Sequence, residues 1–272
     1  MAIKSFRVGK VTIGGTRPAF ILGPCVIESE KFVWKMAREI AKICAAEDVD
    51  LVFKASYDKA NRTSVRSFRG VGPREGCELL AAIGRELKIP VTTDVHSADE
   101  AKLAGDMIDL LQIPAFLCRQ TDLLKAAAVT GRAVNVKKGQ FLAPWDVKNI
   151  AEKLTAFGCK KFCFTERGTT FGYNNLVVDM RSLYWMRERG YPVVFDATHS
   201  VQRPGGGGDK TSGDSLLAPV LARAAVAAGC DGIFMEVHEN PERALSDAAN
   251  QIPLKDLPKH LHMLKAIHAA VS

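Results

Sequence analysis

The chain reads as a single-domain (β/α)8 barrel of the α/β class, and three observations point there. Eight short runs rich in β-branched and apolar residues are separated by amphipathic stretches of helix length. At 272 residues the chain exceeds an average domain yet stays within the span that such a barrel fills as one domain. Each run ends in polar or otherwise special residues, as barrel strands do at the face that carries the chemistry.

In chain order, residues 1–18 come first as an extension. Phe6 and Val8, then Val11 and Ile13, flank Gly9-Lys10 and predict a small hairpin placed to cap the barrel end opposite the tips. The strands are expected at Ala19–Gly23, Asp50–Lys54, Pro90–Asp94, Asp109–Ile113, Ala133–Lys137, Lys161–Thr165, Pro192–Asp196 and Gly232–Glu236. Their tips carry Gly23-Pro24-Cys25, Lys54, Asp94-Val95-His96, Gln112, Lys137, Thr165-Glu166-Arg167, Asp196 to His199 and Glu236-Val237-His238. Helical periodicity fills the gaps. Val33, Met36, Ala37, Ile40 and Cys44 recur at helix spacing behind Ser29 as N-cap, and Leu217, Val220, Leu221 and Ala224 do so behind Asp214. No internal repeat, low-complexity linker or domain boundary interrupts this alternation.

Composition narrows the function classes. Hydrophobic content of 47% and charged content of 25% are ordinary for a globular chain and disfavour disorder. The first residues lack an apolar core of signal-peptide length, and no window approaches the roughly 20 apolar residues of a membrane span, so a cytoplasmic protein without a membrane partner is expected. The seven scattered cysteines form no C-x-x-C and no disulfide framework; reduced thiols are expected, with Cys163 packed in a strand. The net charge of +7 fits nucleic acid, a membrane surface or anionic metabolites, and its distribution decides among them.

Cys25 follows the first strand, His199 the seventh, Glu236 ends the eighth, and Asp247 lies shortly beyond. Closure makes strands seven, eight and one neighbours, so these residues converge. A thiol, an imidazole and two carboxylates form a ligand set for one divalent zinc, iron or manganese ion. Taken singly, each has an ordinary structural alternative: a packing thiol, a hydrogen-bonded loop histidine, a surface carboxylate.

Cations at the tips of strands two, five and six, namely Lys54 with Lys59 and Arg62 beyond it, Lys137 and Arg167, face one mouth, where they suit phosphate and carboxylate groups. Arg66, Arg69, Lys138 and Lys148 are expected to be solvated. Nucleic acid calls for a continuous basic face with stacking aromatics or a known module, and neither is present. Arg203-Pro-Gly-Gly-Gly-Gly-Asp209-Lys210-Thr211 fails the nucleotide phosphate-loop pattern and reads as a lid or a flexible connector at the mouth, centred on Gly205 to Gly208.

Longer motifs add to this reading. Gly-Pro-Cys25-x-x-Glu28-Ser29, Lys59-Ala-Asn61-Arg62-Thr63-Ser64, Ile113-Pro-Ala115-Phe116-Leu-Cys-Arg119-Gln-Thr-Asp122, Asn135-Val-Lys137-Lys-Gly-Gln, Thr165-Glu-Arg167-Gly and Asp196-Ala-Thr-His199-Ser-Val-Gln run in order over nearly the whole chain. With them the sequence resembles the 3-deoxy-D-manno-octulosonate 8-phosphate synthases. The resemblance implies a TIM barrel that condenses phosphoenolpyruvate with D-arabinose 5-phosphate, releasing phosphate, in lipopolysaccharide inner-core synthesis. Cys25 and the Leu245-Ser-Asp247-Ala segment are similar to the metal-dependent branch of that family, with His199, Glu236 and Asp247 as the other ligands. Phosphoenolpyruvate would meet Lys54, Lys59, Lys137 and Arg167, with Gln112, Ala115 and Phe116 lining the site. The pentose phosphate would meet Asn61, Arg62, Thr63 and, from a neighbouring subunit of a homotetramer, Arg119. Thr63 departs from the family's usual serine but keeps the hydroxyl. Lys59, Lys137, His96, Asp94 and His199 are expected at the reacting atoms, with Asp94 and His96 as proton-transfer or orienting groups. Two rivals remain: the related heptulosonate synthases, which accept erythrose 4-phosphate and usually carry Lys-Pro-Arg-Thr where this chain has Lys59-Ala-Asn61-Arg62-Thr63, and a non-catalytic barrel that senses phosphorylated metabolites.

Overall fold

A computed structural model describes residues 2–62, 64–204 and 212–272. The hairpin strands β1 (Phe6–Val8) and β2 (Val11–Ile13) pair antiparallel. Then come β3 (Ala19–Gly23), α1 (Glu30–Ala46), β4 (Asp50–Lys54), α2 (Pro73–Leu87), β5 (Val91–Asp94), α3 (Ala98–Gly105), β6 (Leu110–Ile113), α4 (Thr121–Val129), β7 (Ala133–Lys137), α5 (Val147–Ala156) and β8 (Phe162–Glu166). After a short pair, β9 (Thr169–Thr170) and β10 (Leu176–Val177), follow α6 (Arg181–Glu188) and β11 (Val193–Asp196); after a second, β12 (Gln202–Arg203) and β13 (Ser212–Gly213), follow α7 (Ala218–Ala227), β14 (Gly232–His238), β15 (Ile252–Pro253) and α8 (Leu257–Val271). The eight staves run parallel in the order β3-β4-β5-β6-β7-β8-β11-β14, and β14 pairs β3 to close the ring, a (β/α)8 TIM barrel.

Alternation along each strand explains the two cores. Phe53, Leu111, Val134, Val136, Phe164, Val193, Phe195, Ile233 and Met235 join the cluster shared with the helices. The opposite parity, Ile21, Val52, Leu110, Ala133, Cys163, Val194 and Phe234, forms the inner core. Two residues further along those inner faces the side chains turn polar: Lys54, Gln112, Asn135, Thr165, Asp196 and Glu236, all buried. The barrel is therefore apolar at its base and charged at its C-terminal mouth.

Phe6, Val8, Val11 and Ile13 belong to the inner core, so the hairpin closes the base as expected. Each such side chain contributes on the order of 1.5–3 kcal/mol of burial, enough to hold the plug. At the other end, a Cβ on Gly23 would come within 1.8 Å of the Lys54 carbonyl oxygen, so glycine permits the close approach of the β3 and β4 tips.

Helix α1 begins as anticipated, with Ser29 Oγ accepting from the Phe32 N–H at 3.2 Å and Val33, Met36, Ala37, Ile40 and Cys44 buried. Helix α7 differs. Its N-cap is Leu217 rather than Asp214, and its buried stripe is Ala218, Ala222, Ala225 and Val226, leaving Leu217 and Val220 half exposed. Alanines let this helix pack closely on β11 and β14 and push its larger side chains outward. All seven cysteines are free and buried. Among the described residues, no helix is long and apolar enough to cross a membrane.

Candidate active site

Four side chains distant in sequence meet where β14, β3 and β11 adjoin. Sγ of Cys25 and carboxylate oxygens of Glu236 and Asp247 lie within 4.8 Å of one another. His199 Nε2 stands 3.6 Å from Glu236 Oε1 and 3.8 Å from Asp247 Oδ2. Its Nδ1 is 2.8 Å from Asp196 Oδ2, close enough for charge attraction though not aligned as a hydrogen bond, and its backbone N–H donates to Asp196 Oδ1 at 2.9 Å. The opposite ring nitrogen is thereby aimed at the cluster. Asp247 sits at φ +46°, a left-handed turn that aspartate tolerates better than most residues.

Electrostatics at this cluster favour an added cation. Burial and the neighbouring Asp247 and Glu236 charges push the Cys25 thiol well above its ordinary value, and Cys25 Sγ lies 2.8 Å from Ser246 Oγ. Burial also opposes ionisation of Glu236, but Lys54, Lys59 and His199 outweigh it and hold the carboxyl well below its ordinary range. Among the described residues Glu236 Oε2 is buried without a hydrogen-bond partner. A thiol, an imidazole nitrogen and two carboxylates with a spare buried oxygen fit a divalent ion.

Beside this cluster opens a cavity of about 980 Å³. Lys54 Nζ donates to Glu236 Oε1 at 2.7 Å and to the Cys25 carbonyl at 2.9 Å. Lys137 Nζ donates to Asp196 Oδ2 at 2.6 Å, and Arg62 Nη1 to Asp247 Oδ1 at 3.2 Å. Gln202 links Arg167 to Asp247, accepting from Arg167 Nη2 at 2.9 Å and donating to Asp247 Oδ2 at 3.2 Å. Burial disfavours the Lys59 ammonium, yet Cys25, Glu236, Asp94 and Asp247 raise it well above its ordinary value, so it stays charged. Among the described residues Arg62 Nε and Nη2 and Arg167 Nη1 are buried donors without partners. Unsatisfied guanidinium N–H groups on a cavity wall are a site for phosphate or carboxylate oxygens.

Asp94 is held from two sides, Oδ1 accepting from Gln112 Nε2 at 2.5 Å and Oδ2 from the Ser56 hydroxyl. Asn135 Nδ2 donates to Gln112 Oε1 at 3.1 Å, and Thr165 Oγ1 to Asn135 Oδ1 at 2.7 Å, so one hydrogen-bonded layer spans β5 to β8. Burial acts against its charge, but Lys54, Lys59, Lys137 and His96 depress Asp94 far below its ordinary value. Asp94 is therefore an acceptor and a fixed negative charge rather than a proton donor. His96 moves the other way: burial favours the neutral ring, while Glu100, Asp94 and Asp58 raise it above its ordinary value.

Lys54, Lys59, Asn61, Arg62, Asp94 and His96 line the cavity as expected. So do Ala115, Phe116, Lys137, Arg167, His199, Glu236 and Asp247. Cys25 lies just beneath, buried. Gln112 corrects an expectation: it is wholly buried one layer below the mouth, turned to Asp94 and Asn135, and does not line the cavity. Lys138 corrects another. Instead of being solvated it is fully buried, its Nζ donating to the carbonyls of Gly139 and Leu142 and to Thr169 Oγ1 and lying 3.5 Å from Glu166 Oε1. Arg66 is exposed but lines the cavity, Arg69 is exposed and paired with Asp58, and Lys148 is exposed. Arg119 is exposed and outside its own chain's cavity. Thr63 and Gly205 to Gly208 fall outside the described residues.

Sequence reasoning passed over Asp196, Gln202, Ser246 and Ser56 as site residues. Asp196 and Gln202, three residues either side of His199, and Ser246, just before Asp247, were the available signals. Ser56 acts on a site residue through a contact that only the closed barrel creates.

A TIM barrel whose mouth combines these four donors with buried cations around one cavity defines an enzyme for small, multiply charged anions. The chain belongs to the DAHP synthetase I family, whose sequence profile matches residues 2–272. It is 56% identical over 270 residues to a 2-dehydro-3-deoxyphosphooctonate aldolase of Geobacter sp. (strain M21), covering 99% of each chain. Identity to the protein of that name from Pelobacter propionicus is 58% over 265 residues, 97% of each. For Synechococcus sp. it is 57% over 268 residues, 98% of this chain and 94% of the relative.

Proposed function

We propose that this enzyme condenses phosphoenolpyruvate with D-arabinose 5-phosphate and water to give 3-deoxy-D-manno-octulosonate 8-phosphate and phosphate, a step of lipopolysaccharide inner-core synthesis. The observation that carries this reading is near-full-length identity above half to relatives named 2-dehydro-3-deoxyphosphooctonate aldolase, in a chain whose cavity holds the cations the substrates require. Erythrose 4-phosphate is disfavoured by those same relatives and by Lys59-Ala-Asn61-Arg62 at the mouth. Pure metabolite sensing is disfavoured as well, because it needs no such combination of donors and cations.

Lys54, Lys59, Lys137 and Arg167 bind the phosphate and carboxylate of phosphoenolpyruvate and offset their charge, which brings C3 within reach of the aldehyde. C3 then bonds to the aldehyde carbon, whose oxygen gains a proton; water adds at C2 and gives up a proton, and the hemiketal phosphate loses phosphate by cleavage of its C2–O bond. Cys25, His199, Glu236 and Asp247 would hold one divalent zinc, iron or manganese ion, which when bound would supply polarisation of the aldehyde oxygen or positioning of water. Asn61, Arg62 and Thr63 take the pentose phosphate, Asp94 orients the reacting groups as a fixed acceptor, and His96 orients them or moves a proton.

Arg119, exposed and away from its own cavity, reaches the site of a neighbouring subunit in a homotetramer, a reading supported by half-exposed Phe116 at the mouth. The enzyme works in the cytoplasm, in keeping with the sequence reading. Phosphate release is measured with each substrate alone, with both, and with erythrose 4-phosphate in place of the pentose. The reading expects release only with phosphoenolpyruvate and the pentose phosphate together, and a clear preference for the four-carbon sugar overturns it.

A further inference from the structure

Helix α3 opens with Ser97-Ala-Asp-Glu100, and Ser97 Oγ accepts from the Glu100 N–H at 3.2 Å. In an ordinary capping box the glutamate returns to the N–H of the cap residue itself. Here Glu100 reaches one residue further back. Its Oε2 accepts from the His96 backbone N–H at 2.9 Å, faces His96 Nδ1 at 2.9 Å, and accepts from the Tyr57 hydroxyl at 2.7 Å. Helix capping needs none of the last two contacts.

Tyr57 is itself fixed. It is fully buried and meets the His96 ring edge-on at 5.8 Å. A Cβ on Gly76 of α2 would come within 2.3 Å of the Tyr57 Cβ, so that glycine makes room for it. Glu100 does not line the cavity, whereas His96 does.

We propose that Glu100 is a positioning residue: held by Tyr57, it engages His96 Nδ1 and the His96 backbone N–H together, so that the ring presents Nε2 to the substrates as a charged N–H donor. This rests on the functional reading above and deepens it, separating His96 from Asp94. Asp94 accepts, and His96 donates to an oxygen that gains negative charge. An imidazolium that donates this hydrogen bond can also serve as a general acid.

The charges facing His96 agree. Asp94 at the tip of its own strand, Glu100 on α3, and Asp58 in the segment after β4 all favour the imidazolium, while Arg69 is occupied by Asp58. Burial works against ionisation of Glu100, but the hydrogen bonds from the His96 ring, Tyr57 and the His96 backbone pull its carboxyl down to about 2, so the anion persists wherever His96 titrates.

The test is a histidine NMR titration of the intact protein without substrates, its His96 signal assigned by loss in His96→Gln, together with pH profiles of kcat and KM. Glu100→Gln keeps an acceptor but removes the charge; the His96 midpoint moves to lower pH, and above that new midpoint kcat falls by about tenfold or more while KM for phosphoenolpyruvate holds. Glu100→Ala removes acceptor and charge and lowers kcat across the range. An unmoved His96 midpoint in Glu100→Gln, or unchanged kcat in Glu100→Ala, overturns the proposal. A merely structural glutamate would lower stability without moving that midpoint. Because the titration uses no substrate, failure of the functional reading leaves it readable.

Discussion

Lys54 Nζ lies 2.7 Å from Glu236 Oε1, and both side chains are only 1% exposed. The same ammonium donates to the Cys25 carbonyl, so one buried cation ties β4 to β14 and to the loop after β3. The pair stands between the donor cluster and the anion cavity and belongs to both.

Removing one partner of such a pair strands the other charge in a poor solvent. Lys54→Met leaves Glu236 with Lys59 at 3.4 Å as its remaining lysine partner. Urea unfolding is expected to show a loss of about 3 kcal/mol, with phosphoenolpyruvate turnover abolished. An unchanged midpoint would mean that the pair is not buried as described.

Acid stability follows in large part from depressed carboxyls inside the barrel, Asp94, Asp196 and Glu236 among them. In the unfolded chain they take up protons around pH 4, whereas in the folded protein they do so only at lower pH. Below roughly pH 5 the unfolded state therefore binds more protons, and stability present at neutral pH declines as pH falls. Urea midpoints measured from pH 7 to pH 3.5 should drop steeply, and Asp94→Asn should flatten the curve while costing activity.

Asp196 meets both His199 and Lys137, at 2.8 Å and 2.6 Å. If it steers His199 toward the cluster, Asp196→Asn weakens ion binding by on the order of 10–100-fold in a chelator competition. Equal affinity would leave His199 oriented by its turn alone.

Arg119→Ala should raise KM for arabinose 5-phosphate by about tenfold, the loss of one charge-assisted contact, and leave KM for phosphoenolpyruvate near its original value. Mixed assemblies of this variant with a subunit inactive at Lys59 test the intersubunit placement. Sites that pair the cavity of the Arg119→Ala subunit with Arg119 of the Lys59-inactive subunit are intact and the reciprocal sites are dead, so at arabinose 5-phosphate well below the raised KM the mixture is expected to be more active than either parent.

Much of this was legible in the sequence for a physical reason. Strand period and barrel closure together put Cys25, His199 and Glu236 at neighbouring tips, with Asp247 in the loop beyond, which local propensity alone would not do. Depth was not legible. Gln112 stands one residue before the end of β6, and that single step places it beneath the mouth rather than on it. Neighbouring Lys137 and Lys138 point to different sides of β7, one into the lumen and the other under its own loop, where backbone carbonyls satisfy it. On α7, hydrophobicity favoured Leu217 and Val220 for the core, but close packing selected the alanines.

Elemental analysis of the purified protein, joined to activity after chelator treatment and after return of zinc, iron(II) or manganese, tests the central claim most directly. The account predicts one ion per chain, activity lost on removal and regained on addition, and neither ion nor activity in Cys25→Ala. Full turnover by ion-free protein, or an unaltered ion content in Cys25→Ala, would contradict it.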